Sequence, residues 1–160
     1  AHGFSTAALF MMAGAIQQRI HTREMGSMGG LWMRAPRMGA VTMFFVIASL
    51  GMPGLGNFVG EFMVLVGAFQ VNVALTFFAA LGLVVAAVYA LSLMQRSFQG
   101  RAAAGGAAER ADTFRDFGFR EMSVMVLMMV GLVWLGFYPQ GVLAISDPVV
   151  QGLRVMGAMP

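Results

Sequence analysis

The polar residues of this chain are bunched into short islands between long apolar stretches. Four such stretches stand out, at about 1–16, 38–69, 73–94 and 122–138. The islands between them are the arginine-bearing segments 19–37 and 96–120 and the uncharged turn Gln70-Val71-Asn72. Between Arg37 and Arg96 the only charged side chain is Glu61. An apolar helix of roughly 18–20 residues spans a bilayer, so the pattern predicts an all-α integral membrane protein with about four transmembrane helices. The first stretch is short and nothing resembling a signal segment precedes it. The chain is therefore expected to begin inside a helix of a longer protein.

The second stretch, 38–69, is too long for one straight crossing of a ~30 Å core. Its middle resolves the excess. Gly51-Met52-Pro53-Gly54-Leu55-Gly56-Asn57 holds three glycines and a proline. Pro53 lacks a backbone donor, and the glycines weaken a helix further. Two half-helices with an unwound joint near 51–57 are expected, and Asn57 is read as capping the second half through its side-chain oxygen. Gly56-xxx-Gly60 fits the small-xxx-small spacing of close helix contact.

Composition narrows the class. Of 160 residues 59% are hydrophobic and 11% charged, with mean hydropathy +0.78, far from a soluble domain of this size. There are no cysteines, which excludes disulfide frameworks, thiolate metal sites and Cys nucleophiles. The net charge of +3 comes from arginine without lysine. These arginines lie in the loops between spans rather than in a nucleic-acid-binding patch, so no nucleic-acid partner is expected. Both arginine-rich loops follow odd-numbered spans and share one side. By the positive-inside rule that side is the cytoplasm or the matrix, leaving the C-terminus outside. Trp32 suits an interfacial position, Trp134 and Tyr138 form an aromatic belt, and Phe114, Phe117 and Phe119 are expected to dip into the interface as a short amphipathic segment. Residues 1–138 form the membrane domain and 139–160 a C-terminal tail.

Glu61 carries the strongest chemical signal. An ionisable group at membrane depth is costly and commonly functional, and unwound backbone there is tolerated where protein or water satisfies it. Transporters place such joints at the bilayer midplane, facing ions and substrates. Glu61 lies about one turn into the second half-helix, whose dipole favours the anion while desolvation favours the neutral acid. Opposed terms of this kind suit a reversible proton carrier; the bland alternative is a protonated Glu that only packs. His2, beside Ser5 and Thr6, is the second candidate, a proton relay using both ring nitrogens with the hydroxyls holding water. Its bland alternative is a histidine bonded to a neighbouring helix. His21, among arginines, reads as surface. Two histidines do not build a metal site, and the sixteen methionines read as packing and lipid-facing residues. Gly51 to Gly56 has the look of a phosphate loop, but no strand precedes it and no lysine follows.

Several segments carry a resemblance. Ala1-His2-Gly3-Phe4-Ser5, Arg19-Ile20-His21-Thr22-Arg23, Met28-Gly29-Gly30-Leu31-Trp32 and above all Gly51 through Phe62 resemble the antiporter-like M subunit of proton-pumping NADH:quinone oxidoreductase, respiratory complex I. Val88-Tyr89-Ala90 with Arg96, and Leu135 through Pro139, continue the match. The resemblance implies the C-terminal portion of a fourteen-helix antiporter-like subunit, from within the eleventh helix to the fourteenth, in a bacterial inner membrane with the C-terminus periplasmic. It implies that Glu61 is the terminal proton carrier of the subunit's path and that His2 lies on its hydrophilic axis. It also implies L- and N-type antiporter-like subunits as neighbours. The L and N relatives commonly show Lys where this chain has Glu61, which favours the M type.

By the same resemblance NADH, FMN, iron–sulfur clusters and quinone belong to other subunits, and this chain holds no cofactor or metal. It would be part of an oxidoreductase complex without being catalytic in isolation. A sodium/proton antiporter subunit, a membrane-bound hydrogenase subunit and a purely structural membrane scaffold are the alternatives.

Overall fold

A computed structural model of the chain describes residues 1–22, 24–100 and 114–157. Helix α1 spans His2–Ile20 and buries Ser5, Ala8, Met12, Ile16 and Ile20, a stripe at three- and four-residue spacing. It runs one turn beyond the apolar stretch, through the polar Gln17 to Arg19, and ends where His21 turns left-handed at φ 55°. A single turn at Met25–Ser27 and the short helix α2, Leu31–Arg34, interrupt the glycine-rich loop that follows.

The long second stretch is broken as expected. Helix α3 covers Pro36–Ser49 and α4 covers Gly56–Val71. Pro36 suits the first turn of α3, where a missing N–H goes unnoticed. At 1.5 Å per residue the halves measure roughly 21 and 24 Å, each too short to cross a ~30 Å core alone. The turn at 70–72 is tighter than its sequence suggests. Residues 70 and 71 stay helical, and Asn72 alone both closes α4 and caps α5, its side chain accepting from the Leu75 N–H at 3.0 Å.

Helix α5, Val73–Met94, continues into a π-helical turn at Gln95–Gln99. Helix α6, Phe119–Phe137, starts one turn earlier than the apolar stretch because Glu121 accepts from the Gly118 N–H at 3.0 Å and secures its first turn. Helix α7, Gln140–Gly157, occupies the stretch after Pro139.

Helix α1 packs between α3 and α6, while α4 packs on α5 and α6. The shared core holds Met12, Leu31, Met38, Phe45, Met94, Phe98, Met125 and Leu132. Lipid tails are as apolar as these side chains, so dispersion and close packing hold the helices together rather than escape from water. Gly136 shows how close: a Cβ there would collide with the Gly54 carbonyl of the joint. The outer helices face the other way. α5 buries only Thr76, Ala90 and Met94 and exposes Phe77, Phe78, Val84, Val85 and Val88.

Two helical segments, Val73–Gln99 and Phe119–Phe137, are long and apolar enough to cross a membrane, and the two halves α3 and α4 are shorter apolar helices. The architecture is all-helical among the described residues, as the pattern predicts. One expectation for the second arginine-bearing loop fails. Phe117 does not dip outward as part of an interfacial segment; it is buried at 2% exposure, its ring 5.6 Å beneath the Arg19 guanidinium. A cation over the ring face and apolar neighbours below hold it better than an exposed interface would. The part of that loop from 101 to 113, with Arg101, Glu109, Arg110 and Asp112, lies outside the described residues.

The described parts of the two arginine-bearing loops meet at one end of the bundle. Arg19 donates to the Arg115 carbonyl at 2.7 Å and to both Glu121 oxygens at 2.9 Å. Asp116 accepts from the backbone N–H groups of Arg37 and Met38 at 2.9 and 3.0 Å, capping α3 from 79 and 78 residues away.

Candidate functional site

The joint between α3 and α4 forms the opposite cluster. Residues 50–55 leave the helix through two left-handed glycines, Gly51 at φ 67° and Gly54 at φ 92°. Both conformations are costly for residues with a Cβ. Gly51 has a second reason to lack a side chain. A Cβ there would collide with the Glu61 carboxyl, which is folded back onto the joint. Glu61 is half-buried with its carboxyl laid against the joint, and no ion pair holds it among the described residues.

His2 stands at the start of α1. Its ring Nε2 lies 3.1 Å from the Thr6 hydroxyl. His2, Asn57, Gly60, Glu61 and Val64 line one open cavity of about 440 Å³. The two residues singled out by sequence therefore share a pocket. A larger cavity of about 670 Å³ lies at the arginine end, lined in part by Gln18, Phe117, Arg120 and Glu121. Its carboxylate is already engaged by Arg19, so the smaller cavity is the better seat for proton chemistry.

Asn57 departs from its expected role. Leu55, in extended conformation, holds the capping position of α4, and Asn57 is already inside the helix. A side chain caps from a non-helical residue, so Asn57 turns to tertiary partners. It donates to the Ser5 hydroxyl at 3.0 Å and to the Ala48 carbonyl at 2.8 Å. Ser5 in turn donates to the His2 carbonyl at 3.1 Å. The hydroxyls read as water holders are thus bonded to protein: Ser5 to the Asn57 amide and His2 backbone, Thr6 to the His2 ring. Sequence reasoning missed Ser5 as the partner of Asn57, since nothing local links residues 52 apart.

Of the small-residue pair, Gly56 is packed against Ala1 and Leu135, where an added Cβ would come within 2.8 and 2.9 Å, while Gly60 meets nothing within 4 Å. His21 is exposed, as expected of a surface residue. Among the described residues no group of three or more His, Asp or Glu is placed to hold a metal ion.

Comparison with known proteins gives this geometry a family context. A family model described as "NADH:quinone oxidoreductase/Mrp antiporter, TM" matches residues 1–90. NADH-quinone oxidoreductase subunit M of Escherichia coli (strain K12) is 44% identical over 154 residues, covering 96% of this chain and 30% of its own length. Subunit M of Pseudomonas aeruginosa is 45% identical over 154 residues, covering 96% and 29%. A chain of the solved structure titled respiratory complex I from Thermus thermophilus with bound NADH superposes with TM-score 0.75 at 31% identity, over 85% of this chain and 27% of that one. The chain thus spans about three-tenths of the length of the curated relatives it matches.

Proposed function

Because the chain belongs to the NADH:quinone oxidoreductase/Mrp antiporter transmembrane family, we propose that it is the C-terminal part of an M-type proton-translocating subunit. Glu61 is the proton carrier and His2 its relay. The observation that carries this reading is the Glu61 carboxyl lying against Gly51 of a broken membrane helix, in a cavity shared with His2.

The chemistry follows from the setting. A carboxyl that rests on the joint, with no ion pair among the described residues, can take up and release a proton with little rearrangement. An imidazole at the same cavity can pass a proton through its two nitrogens. Unwound backbone beside them offers carbonyl and N–H groups to water, which is where membrane transporters handle ions. Redox chemistry elsewhere in the assembly supplies the driving energy, and NADH, FMN, iron–sulfur clusters and quinone are held by other subunits. L- and N-type antiporter-like subunits and lipid are the neighbours, and the exposed face of α5 suits either contact. The arginine end faces the cytoplasm and α7 the periplasm, with residues 1–138 as the membrane domain and 139–160 as its C-terminal extension.

The decisive experiment replaces Glu61 in the full-length subunit of the assembled complex. Glu61→Gln keeps size and hydrogen bonding and removes the titrating proton. The expected result is about a hundredfold loss of proton pumping per NADH oxidised, the lower end of the scale for removing one acid–base group, with normal assembly. Unchanged pumping would remove Glu61 from the mechanism. The family description also names Mrp antiporters, so transport is measured with and without sodium. A strict sodium requirement would favour a cation/proton antiporter.

A further inference from the structure

We infer that Asn57 is a positioning residue for the Glu61 carboxyl: its amide ties the end of α3 to the start of α1 and so fixes the joint on which that carboxyl rests. The inference builds on the reading of Glu61 as proton carrier.

The orientation of the amide is set by its partners. The Ala48 carbonyl can only accept. The Ser5 hydroxyl spends its one proton on the His2 carbonyl, so toward Asn57 it too accepts. Both bonds therefore require the NH2 group. The Asn57 oxygen is left buried without a partner among the described residues, on a side chain only 8% exposed. A buried acceptor without a donor opposes stability. An amide kept for packing alone would do better as an apolar side chain of similar size.

The two bonds make sense as a brace. Ala48 lies three residues before Gly51, and the helix ends just after it. Unwinding weakens the local partners of its carbonyl, and the Gly51 N–H reaches it at 3.3 Å. The Asn57 bond at 2.8 Å is the shorter one. Asn57 also lies four residues before Glu61, on the same helical face. One side chain thus links the residue that carries the carboxyl, through one turn of α4, to the segment that receives it. Through Ser5, which is fully buried, it links both to the turn of α1 that bears His2. Losing the brace leaves each element free to shift against the others, and proton transfer is sensitive to sub-ångström changes of this kind.

The test uses the full-length subunit in its assembled complex in membrane vesicles. Proton pumping per NADH oxidised and the amount of assembled complex are measured for Asn57→Leu, Ser5→Ala, the double variant and Glu61→Gln. Asn57→Leu is expected to assemble and to lose pumping by about tenfold, the scale of a misplaced reacting group. Ser5→Ala removes one of the two bonds and is expected to lose about threefold, as one neutral hydrogen bond would. The double variant should match Asn57→Leu, because both changes act through one contact.

Normal pumping in Asn57→Leu, or effects that add in the double variant, would overturn the brace. If Asn57→Leu does not assemble, Ser5→Ala decides, since it deletes a single oxygen; full pumping there also overturns the proposal. Loss of pumping in Glu61→Gln with full pumping in Asn57→Leu rejects the brace and keeps the carrier. Full pumping in Glu61→Gln rejects the carrier and the brace with it.

Discussion

Two polar clusters sit at opposite ends of the same helices, and they are bonded in opposite ways. At the arginine end Arg19 reaches both Glu121 oxygens, the Arg115 carbonyl and the Ala15 carbonyl, and lies over Phe117. Both Asp116 oxygens accept from backbone N–H groups. At the joint the Asn57 oxygen has no partner among the described residues, and the Glu61 carboxyl rests against a glycine. A saturated cluster resists change, because any shift breaks charged hydrogen bonds. An unsaturated one can gain and lose a proton. On the proposed function, the contrast separates a fastening from a working site without reference to position in sequence.

That contrast makes distinct predictions for the two ends: changes that reach the Glu61 carboxyl alter pumping, and changes at the arginine end alter stability. Loss of the Glu61 proton is the largest expected effect on pumping. Next is Gly51→Ala, which adds left-handed strain of roughly 1–2 kcal/mol and also displaces the Glu61 carboxyl. Gly54→Ala is its control. It adds comparable strain at φ 92°, but its Cβ would meet only Phe137, at an ordinary 3.7 Å. Gly51→Ala should therefore lower pumping per NADH by about tenfold, while Gly54→Ala lowers the thermal midpoint and leaves that ratio unchanged. Equal ratios in the two variants would show that strain alone matters and that the carboxyl contact is incidental.

At the other end, Arg19→Met removes the hub of the arginine cluster and keeps its apolar stem. The Arg19 side chain is 15% exposed and that of Glu121 39%, so solvent screens part of the pair. The expected loss is about 1–2 kcal/mol of stability, seen as a lower melting temperature of the purified complex. Pumping per NADH in the surviving complex should not change. A change in that ratio would mean that the fastening also takes part in proton transfer.

Much of the fold is legible in the chain because it rests on local rules. Val73 to Met94 carries no charged residue and a single glycine, and its helix has the expected limits. The joint is legible because Pro53 and clustered glycines weaken a helix, and Glu61 because its charge stands alone. Asn57 was misread because capping is a local rule, while its actual partners, Ser5 and Ala48, are chosen by packing. Phe117 was misread for the same reason: aromatic spacing suggests an interface, but Arg19 approaching from another helix makes it core. The contact between Gly51 and Glu61 leaves only a faint sequence signal, a glycine ten residues before an acid.

Asp116 offers the finest test of the comparison, because its cap on α3 is also supplied by packing. Pro36 has no N–H to satisfy, so the first orphan donors of α3 are those of Arg37 and Met38, and one carboxylate takes both. Asp116→Asn keeps the shape. Its single oxygen can still accept from Met38 and Phe117, but its NH2 would then face the Arg37 N–H, donor against donor. It also removes a negative charge from a helix N-terminus, where the dipole favours one. The expected loss is about 1 kcal/mol, the usual worth of a cap. Such a loss should speed hydrogen exchange in the first turn of α3 by about fivefold, read by mass spectrometry on peptides covering residues 36–45. Exchange at the joint, around 50–57, should stay as it was. If it rises as well, the two clusters are coupled along α3, and the arginine end would set how readily the Glu61 site opens.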